Sequence, residues 1–312
     1  MSRFSHTTTA TLVLATLLLS ACGGGDTGTE SESTSSLLTL DEESQYAAQA
    51  VSVMTPMLVL SASGDFVKLP QSEAVASAKA RQAKAMVKAA KQAKTASAKV
   101  VREVEACGAG GEVVIETEGS VVTAWFKACR ETETVDGVAF NTEQDGWARY
   151  TILPSTEFEE AYAIEEDSVF KIKGGDTDYA EHLQARMRYF QEGQRLRLED
   201  VDYTLTDKGS YLGQSYDYTT AARKLTFTSD PQAGVTFSGR VGGWGTFYNG
   251  EPMMNGQLEV ASVVPMFFDQ DGFPNRGSVR VKGGHSTTAL VQIHSEGYRL
   301  ELNGQPSLDI RW

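Results

Sequence analysis

Six acidic residues crowd one short stretch of the chain: Glu157, Glu159, Glu160, Glu165, Glu166 and Asp167. Paired carboxylates can divide general-acid and general-base work across a glycosidic bond, so a glycan hydrolase could draw its acids from here. Adjacent acids in a loop are far more often just solvated surface. Gly213-Gln214-Ser215-Tyr216-Asp217 begins like a nucleophile elbow, but Asp217 stands where the tight strand-to-helix turn needs glycine. Asp269-Gln270-Asp271-Gly272 spaces two carboxylates like the opening of a calcium loop, without the glutamate that closes one, and a solvated turn accounts for it. Neither a G-x-x-x-x-G-K-[ST] phosphate loop nor an H-E-x-x-H zinc helix occurs. No catalytic residue, metal or cofactor is therefore assigned. Trp244, Phe247 and Tyr248, set among Gly242, Gly243, Gly245 and Gly250, have the makings of an aromatic platform for a sugar or apolar ligand, or of core residues capping a barrel end.

The most informative stretch lies near the start. Arg3 precedes an apolar run, Ala10 to Leu19, which leads to Leu19-Ser20-Ala21-Cys22 and three glycines. This is the layout of an export signal, with an apolar part too short to span a bilayer permanently. Leu19-Ser20-Ala21-Cys22 resembles the lipobox of bacterial lipoproteins: a branched aliphatic, two small residues and a cysteine. The resemblance implies cleavage before Cys22 by signal peptidase II, a thioether-linked diacylglycerol on Cys22, and acylation of its new amino group. Two or three acyl chains hold a protein on a membrane where one does not, at about 0.8 kcal/mol per buried methylene. Gly23 occupies the position where aspartate often marks inner-membrane retention, so the resemblance implies the outer membrane, on a face it does not specify.

With Cys22 assigned to lipid, Cys107 and Cys129 remain, and in an oxidising compartment the simplest expectation is a disulfide between them. A metal pair is the alternative. It would need further Cys or His at ligand spacing, and His182, His285 and His294 are not close to either cysteine in sequence.

The elements that must position these residues follow in order. Residues 1–21 are expected to be the signal peptide and 22–38 the acylated cysteine with a linker of Gly, Ser, Thr and acidic residues, too polar to order itself. Residues 39–106 read as helical. Thr39-Leu40-Asp41-Glu42 has the capping-box pattern, followed by Tyr46, Ala47, Ala50, Val51 and Met54 on one face. Pro70 to about Ala106 is an Ala-, Lys- and Gln-rich run with a basic stripe through Arg81, Lys84, Lys88, Lys91, Lys94 and Arg102. That stripe is either a solvated face or a surface for anionic headgroups.

From residue 107 to 312 the pattern becomes short apolar or alternating runs broken by Gly, Asn, Asp and Pro, as an antiparallel meander requires. The fold class is therefore mainly β: a large antiparallel curved sheet, barrel or sandwich with one or two N-terminal helices. Thr177 to Gln191 is ambiguous between helix and long strand. A weak repeat recurs, Ile172-Lys173-Gly174-Gly175 before Glu192-Gly193, and Val281-Lys282-Gly283-Gly284 before Glu296-Gly297, and reads as hairpin turns. Charges such as Arg195, Arg197, Glu199 and Asp200, and runs too short for crossing, argue against a transmembrane barrel despite the alternating end Leu308-Asp309-Ile310-Arg311-Trp312.

With 41% hydrophobic and 22% charged residues the composition is that of a folded protein, and a net charge of −13 argues against nucleic acid as a partner. The expected role is a membrane-anchored envelope lipoprotein that binds or scaffolds without catalysis, held by its lipid, with a glycan, a lipid or another envelope protein as candidate partner. The alternative is a glycan-acting envelope hydrolase whose acids come from separate loops.

Overall fold

A computed structural model describes residues 37–41, 44, 47–48, 51–52, 55, 100–135, 137–175, 177–211, 213–246, 254–269 and 274–311. Cys22, Phe247, Tyr248, Asp271 and the expected helix from Pro70 to Lys99 lie outside these residues.

The strands are β1 (Val101–Ala106), β2 (Glu112–Glu118), β3 (Val121–Val135), β4 (Val138–Ile152), β5 (Glu160–Gly174), β6 (Thr177–Glu192), β7 (Arg195–Tyr211), β8 (Gln214–Asp230), β9 (Gly234–Thr246), β10 (Gly256–Phe268), β11 (Pro274–Lys282), β12 (Thr288–His294), β13 (Gly297–Leu302) and β14 (Gln305–Arg311). They form one antiparallel sheet in strict sequence order that does not close on itself. The meander is thus found as expected, as an open sheet. Short hairpin connections suffice because every strand pairs with its sequence neighbour. The chain divides by contacts into two compact units, Gln71–Ala221 and Met1–Pro70 with Ala222–Trp312.

In the unit Gln71–Ala221, the strand registers sort side chains onto two faces. One face carries Val122, Ala124 and Phe126 of β3, opposite Tyr150, Ala148 and Gly146 of β4. It continues through Tyr162, Ile164, Glu166, Ser168, Phe170 and Ile172 of β5, opposite the odd-numbered residues of β6 from Tyr189 to Tyr179. Ile115, Val122, Ala124, Phe126 and Ala148 make one buried cluster, and Phe170 with Ile172 another. The other face is laced with ion pairs. Arg130 and Lys171 both reach Glu143, at 2.7 and 3.0 Å, and Arg186 reaches Asp202 at 2.9 Å.

These ion pairs explain why the strands outrun the sequence expectation. β3 to β8 are 15–17 residues long, whereas their apolar runs cover only a few residues each. Cross-strand charge pairs extend the ladders where no apolar signal marks them. The length objection to a membrane barrel is therefore withdrawn. The charge objection stands, since ion pairs occupy one face and Glu166, Glu181 and Asp207 interrupt the other.

Two further points differ from the sequence reading. Val101–Ala106 is strand, not the end of a helix: its six residues pair with β2 from Val101↔Thr117 to Ala106↔Glu112. The ambiguous Thr177–Gln191 is strand β6, paired with β5 on one side and β7 on the other.

In the other unit, Leu258, Val260, Met266, Val279, Val281, Val291 and Leu300 form a buried core. Gly277 lies inside β11, where a Cβ would fall 2.8 Å from the Met266 side chain. The repeat falls at hairpin connections, with positive φ at Gly175, Gly193 and Gly297, but in the β11–β12 turn positive φ falls on His285 and Ser286 and not on Gly283 or Gly284.

Candidate functional site

The first described residues bond to the sheet. Leu37 and Thr39 form parallel bridges to Gln257 and Gly284. Leu38 donates its N–H to the Gln257 carbonyl at 2.8 Å and accepts from the Gly284 N–H at 2.8 Å, so one residue joins β10 to the turn after β11. Leu40 N–H donates to Thr287 Oγ1 at 2.9 Å, and its side chain is only 1% exposed. A Cβ on Gly283 would stand 2.3 Å from the Leu38 carbonyl oxygen, which is why glycine is needed there. The expected capping box is shifted by two residues. Asp41 N–H donates to Ser44 Oγ and Ser44 N–H donates to Asp41 Oδ1, while Thr39 Oγ1 bonds His285 Nδ1 at 2.9 Å. The helix that follows shows Ala47, Ala48, Val51 and Ser52 buried.

Cys107 and Cys129 are joined, with a Cα separation of 5.4 Å, in the range ordinary disulfides occupy. A bulge prepares the pairing. Between Phe126 and Cys129 the β3–β4 register shifts, Ala128 adopts φ 45°, and its N–H donates to Asp145 Oδ1 at 2.6 Å. The bulge puts Cys129 on the face of Phe126, beside the glycine-rich β1–β2 turn that begins at Cys107. Glu131 supplies a third donor within 4.8 Å of both sulfurs and accepts the Gly108 N–H at 3.0 Å. Bonded sulfurs are not thiolates, so the trio holds no metal in this state.

The acidic stretch Glu157–Asp167 does not assemble. Glu157 precedes β5 and pairs with Arg195 at 3.4 Å. Strand alternation sends Glu165 to the charged face beside Arg149 and Glu166 to the opposite face beside Ser168. Asp167 bonds His182 Nε2 at 2.8 Å, and this hydrogen bond holds its carboxyl below the usual range. Ser215 belongs to β8, not to an elbow.

Trp244 is half-buried near the end of β9. Its ring packs so close over Gly242 that a Cβ there would lie 2.5 Å from Cη2, and Gln257 lies against the same glycine. Its buried Nε1 makes no hydrogen bond among the described residues. Packing thus takes part of the ring, and no ligand platform is assembled from the described residues alone.

Sequence reading missed the most unusual polar cluster. Glu181 and Asp207 face each other across β6 and β7 and are 7% and 4% exposed. Tyr179 Oη donates to Glu181 Oε2, and Tyr179 and Tyr218 both hydrogen-bond Asp207. Tyr216 packs against Tyr179 and Tyr218, at 6.4 and 5.9 Å between ring centroids. Burial first, then the neighbouring carboxylates, pushes the phenols of Tyr179, Tyr216 and Tyr218 well above their ordinary range. Such phenols are hydrogen-bond donors at neutral pH, not bases or nucleophiles. Only the alternation of Tyr179 with Glu181 signalled the cluster, because Asp207 and Tyr218 come from distant segments.

Comparison with known protein families, characterised proteins and solved structures returns no match.

Proposed function

We propose that the chain is a lipid-anchored protein of a bacterial envelope, held in the outer membrane through Cys22, with a binding or scaffolding role and no chemistry of its own. The observation that carries this reading is the division of its cysteines. Of three, Cys107 and Cys129 are bonded to each other, leaving Cys22, inside Leu19-Ser20-Ala21-Cys22, as the only one outside a disulfide. A disulfide suits an oxidising compartment and a lipobox cysteine suits export, so the two features support one another. The first described residue is Leu37, and 14 residues of linker composition stand between it and Cys22 in the sequence.

The hydrolase reading has less behind it. The Glu157–Asp167 acids diverge, and the buried Glu181 and Asp207 carboxyls are engaged by tyrosine hydroxyls rather than set on either side of an open cleft. Detergent phase partitioning of protein from the producing cells tests the proposal: wild type should enter the detergent phase and Cys22→Ala the aqueous phase. Wild type remaining aqueous would refute it.

A further inference from the structure

The unit Met1–Pro70 with Ala222–Trp312 has two ends of different character. Because its strands run alternately up and down, the connections β9–β10, β11–β12 and β13–β14 lie at one end, and β8–β9, β10–β11 and β12–β13 at the other. Leu37 and Thr39 run parallel to β10 and are bonded beside its first residues, so the chain reaches the fold from the first of these ends. The described turn residues there are Trp244 to Thr246, Met254 and Asn255, Gly283 to Thr287, and Asn303 with Gly304. None of these turns carries a carboxylate, Lys282 and His285 are exposed among them, and the entering segment adds one exposed carboxylate, Asp41, which accepts the Ser44 N–H. Glu251 of the β9–β10 connection lies outside the described residues. The other end carries Asp230, Asp269 and Glu296, with Arg311 as its strand-terminal arginine.

We infer that the end of this unit where Leu37 enters is a membrane-contact surface, resting on the phospholipid headgroup layer that holds the acylated Cys22. The inference depends on the anchoring proposed above. Length and charge decide it. A 14-residue linker of coil composition spans about 20 Å on average and about 50 Å fully extended. Strands β9 and β10 have 13 residues each, so the opposite turns lie roughly 40 Å from the point of entry. Bringing those turns to the membrane would stretch the linker close to its limit, and would press Asp230, Asp269 and Glu296 against a surface that carries anionic lipid. Resting on the entry end requires neither. Turns of glycine, serine, threonine, asparagine, histidine and tryptophan suit a headgroup layer, where hydroxyls and amides stay hydrated and indole is at home.

The test uses the lipidated full chain in vesicles of phosphatidylethanolamine and phosphatidylglycerol containing a headgroup-nitroxide lipid. One variant carries Gln305→Trp, at the exposed start of β14, and the other Gln232→Trp, in the exposed β8–β9 turn. After subtraction of wild-type emission, the tryptophan added at 305 should be quenched at least about twofold more than the one added at 232. Hydrogen exchange on the wild type provides a second readout: vesicles should slow peptides covering 283–287 and leave those covering 231–233 unchanged. If the protein floats with vesicles but quenching and exchange are equal at both ends or reversed, the contact surface is wrong and the anchor survives. If it does not float, the anchoring reading itself falls, and this inference with it.

Discussion

Tyr179 shows how much one buried hydroxyl decides. Its Oη serves both Glu181 and Asp207, two carboxyls almost without solvent. Tyr179→Phe should cost about 1–3 kcal/mol, because it deletes a donor and leaves buried acceptors short of one. A shift of the urea midpoint at unchanged slope would register this. Alkali addresses the same cluster. Tyr150, Tyr179, Tyr216 and Tyr218 hold their protons more tightly folded than unfolded, chiefly through burial. Above pH 10, the ordinary tyrosine value, the unfolded chain therefore binds fewer protons than the folded one, and stability falls as pH rises. Tyrosinate absorbance from these residues should appear together with unfolding, not ahead of it. At the disulfide, Cys107→Ser with Cys129→Ser should lower stability by about 3 kcal/mol for a 22-residue separation, as read from denaturant unfolding without reductant.

At the scale of elements, sequence periodicity located strands through their apolar centres and lost their ends. The apolar run of β3 covers only Val121 to Phe126, but the strand runs on to Val135 through Cys129, Arg130 and Glu131, whose partners lie on β4 and in the β1–β2 turn. Val101–Ala106 inherited a helical reading from the Ala- and Lys-rich run before it, and only its pairing with β2 reveals the strand. The disulfide is legible because, of three cysteines, Cys22 lies in a stretch that resembles a lipobox, which leaves one pair. The Glu181–Asp207 contact was not, because 26 residues separate its members and nothing in either local pattern refers to the other. Two glycines test the element account. Gly146 has φ 108°, and a Cβ there would lie 2.2 Å from the Asp167 carbonyl oxygen. Gly146→Ala should cost several kcal/mol, on the order of the larger single-site losses, and raise hydrogen exchange along β4 and β5. Gly283→Ala should displace Leu38 and expose the N-terminal segment to limited proteolysis while β12 to β14 stay protected.

For the whole molecule, the account joins an acylated N-terminus, a linker and a meander whose second unit grips the chain at Leu37–Leu40. The segment Leu37–Leu40 is held to this unit by Leu38 to Gln257 and Gly284, Thr39 to His285 and Leu40 to Thr287. Intact mass of protein extracted in detergent from the producing cells, with free thiols alkylated and no reductant, tests acylation at Cys22 and the disulfide together. Wild type should begin at Cys22, carry two or three acyl chains and take up no alkyl group at Cys107 or Cys129, with lipid absent from Cys22→Ala. A mature wild-type chain without lipid would contradict the proposed anchor, and would leave the same β-sheet body free of the membrane.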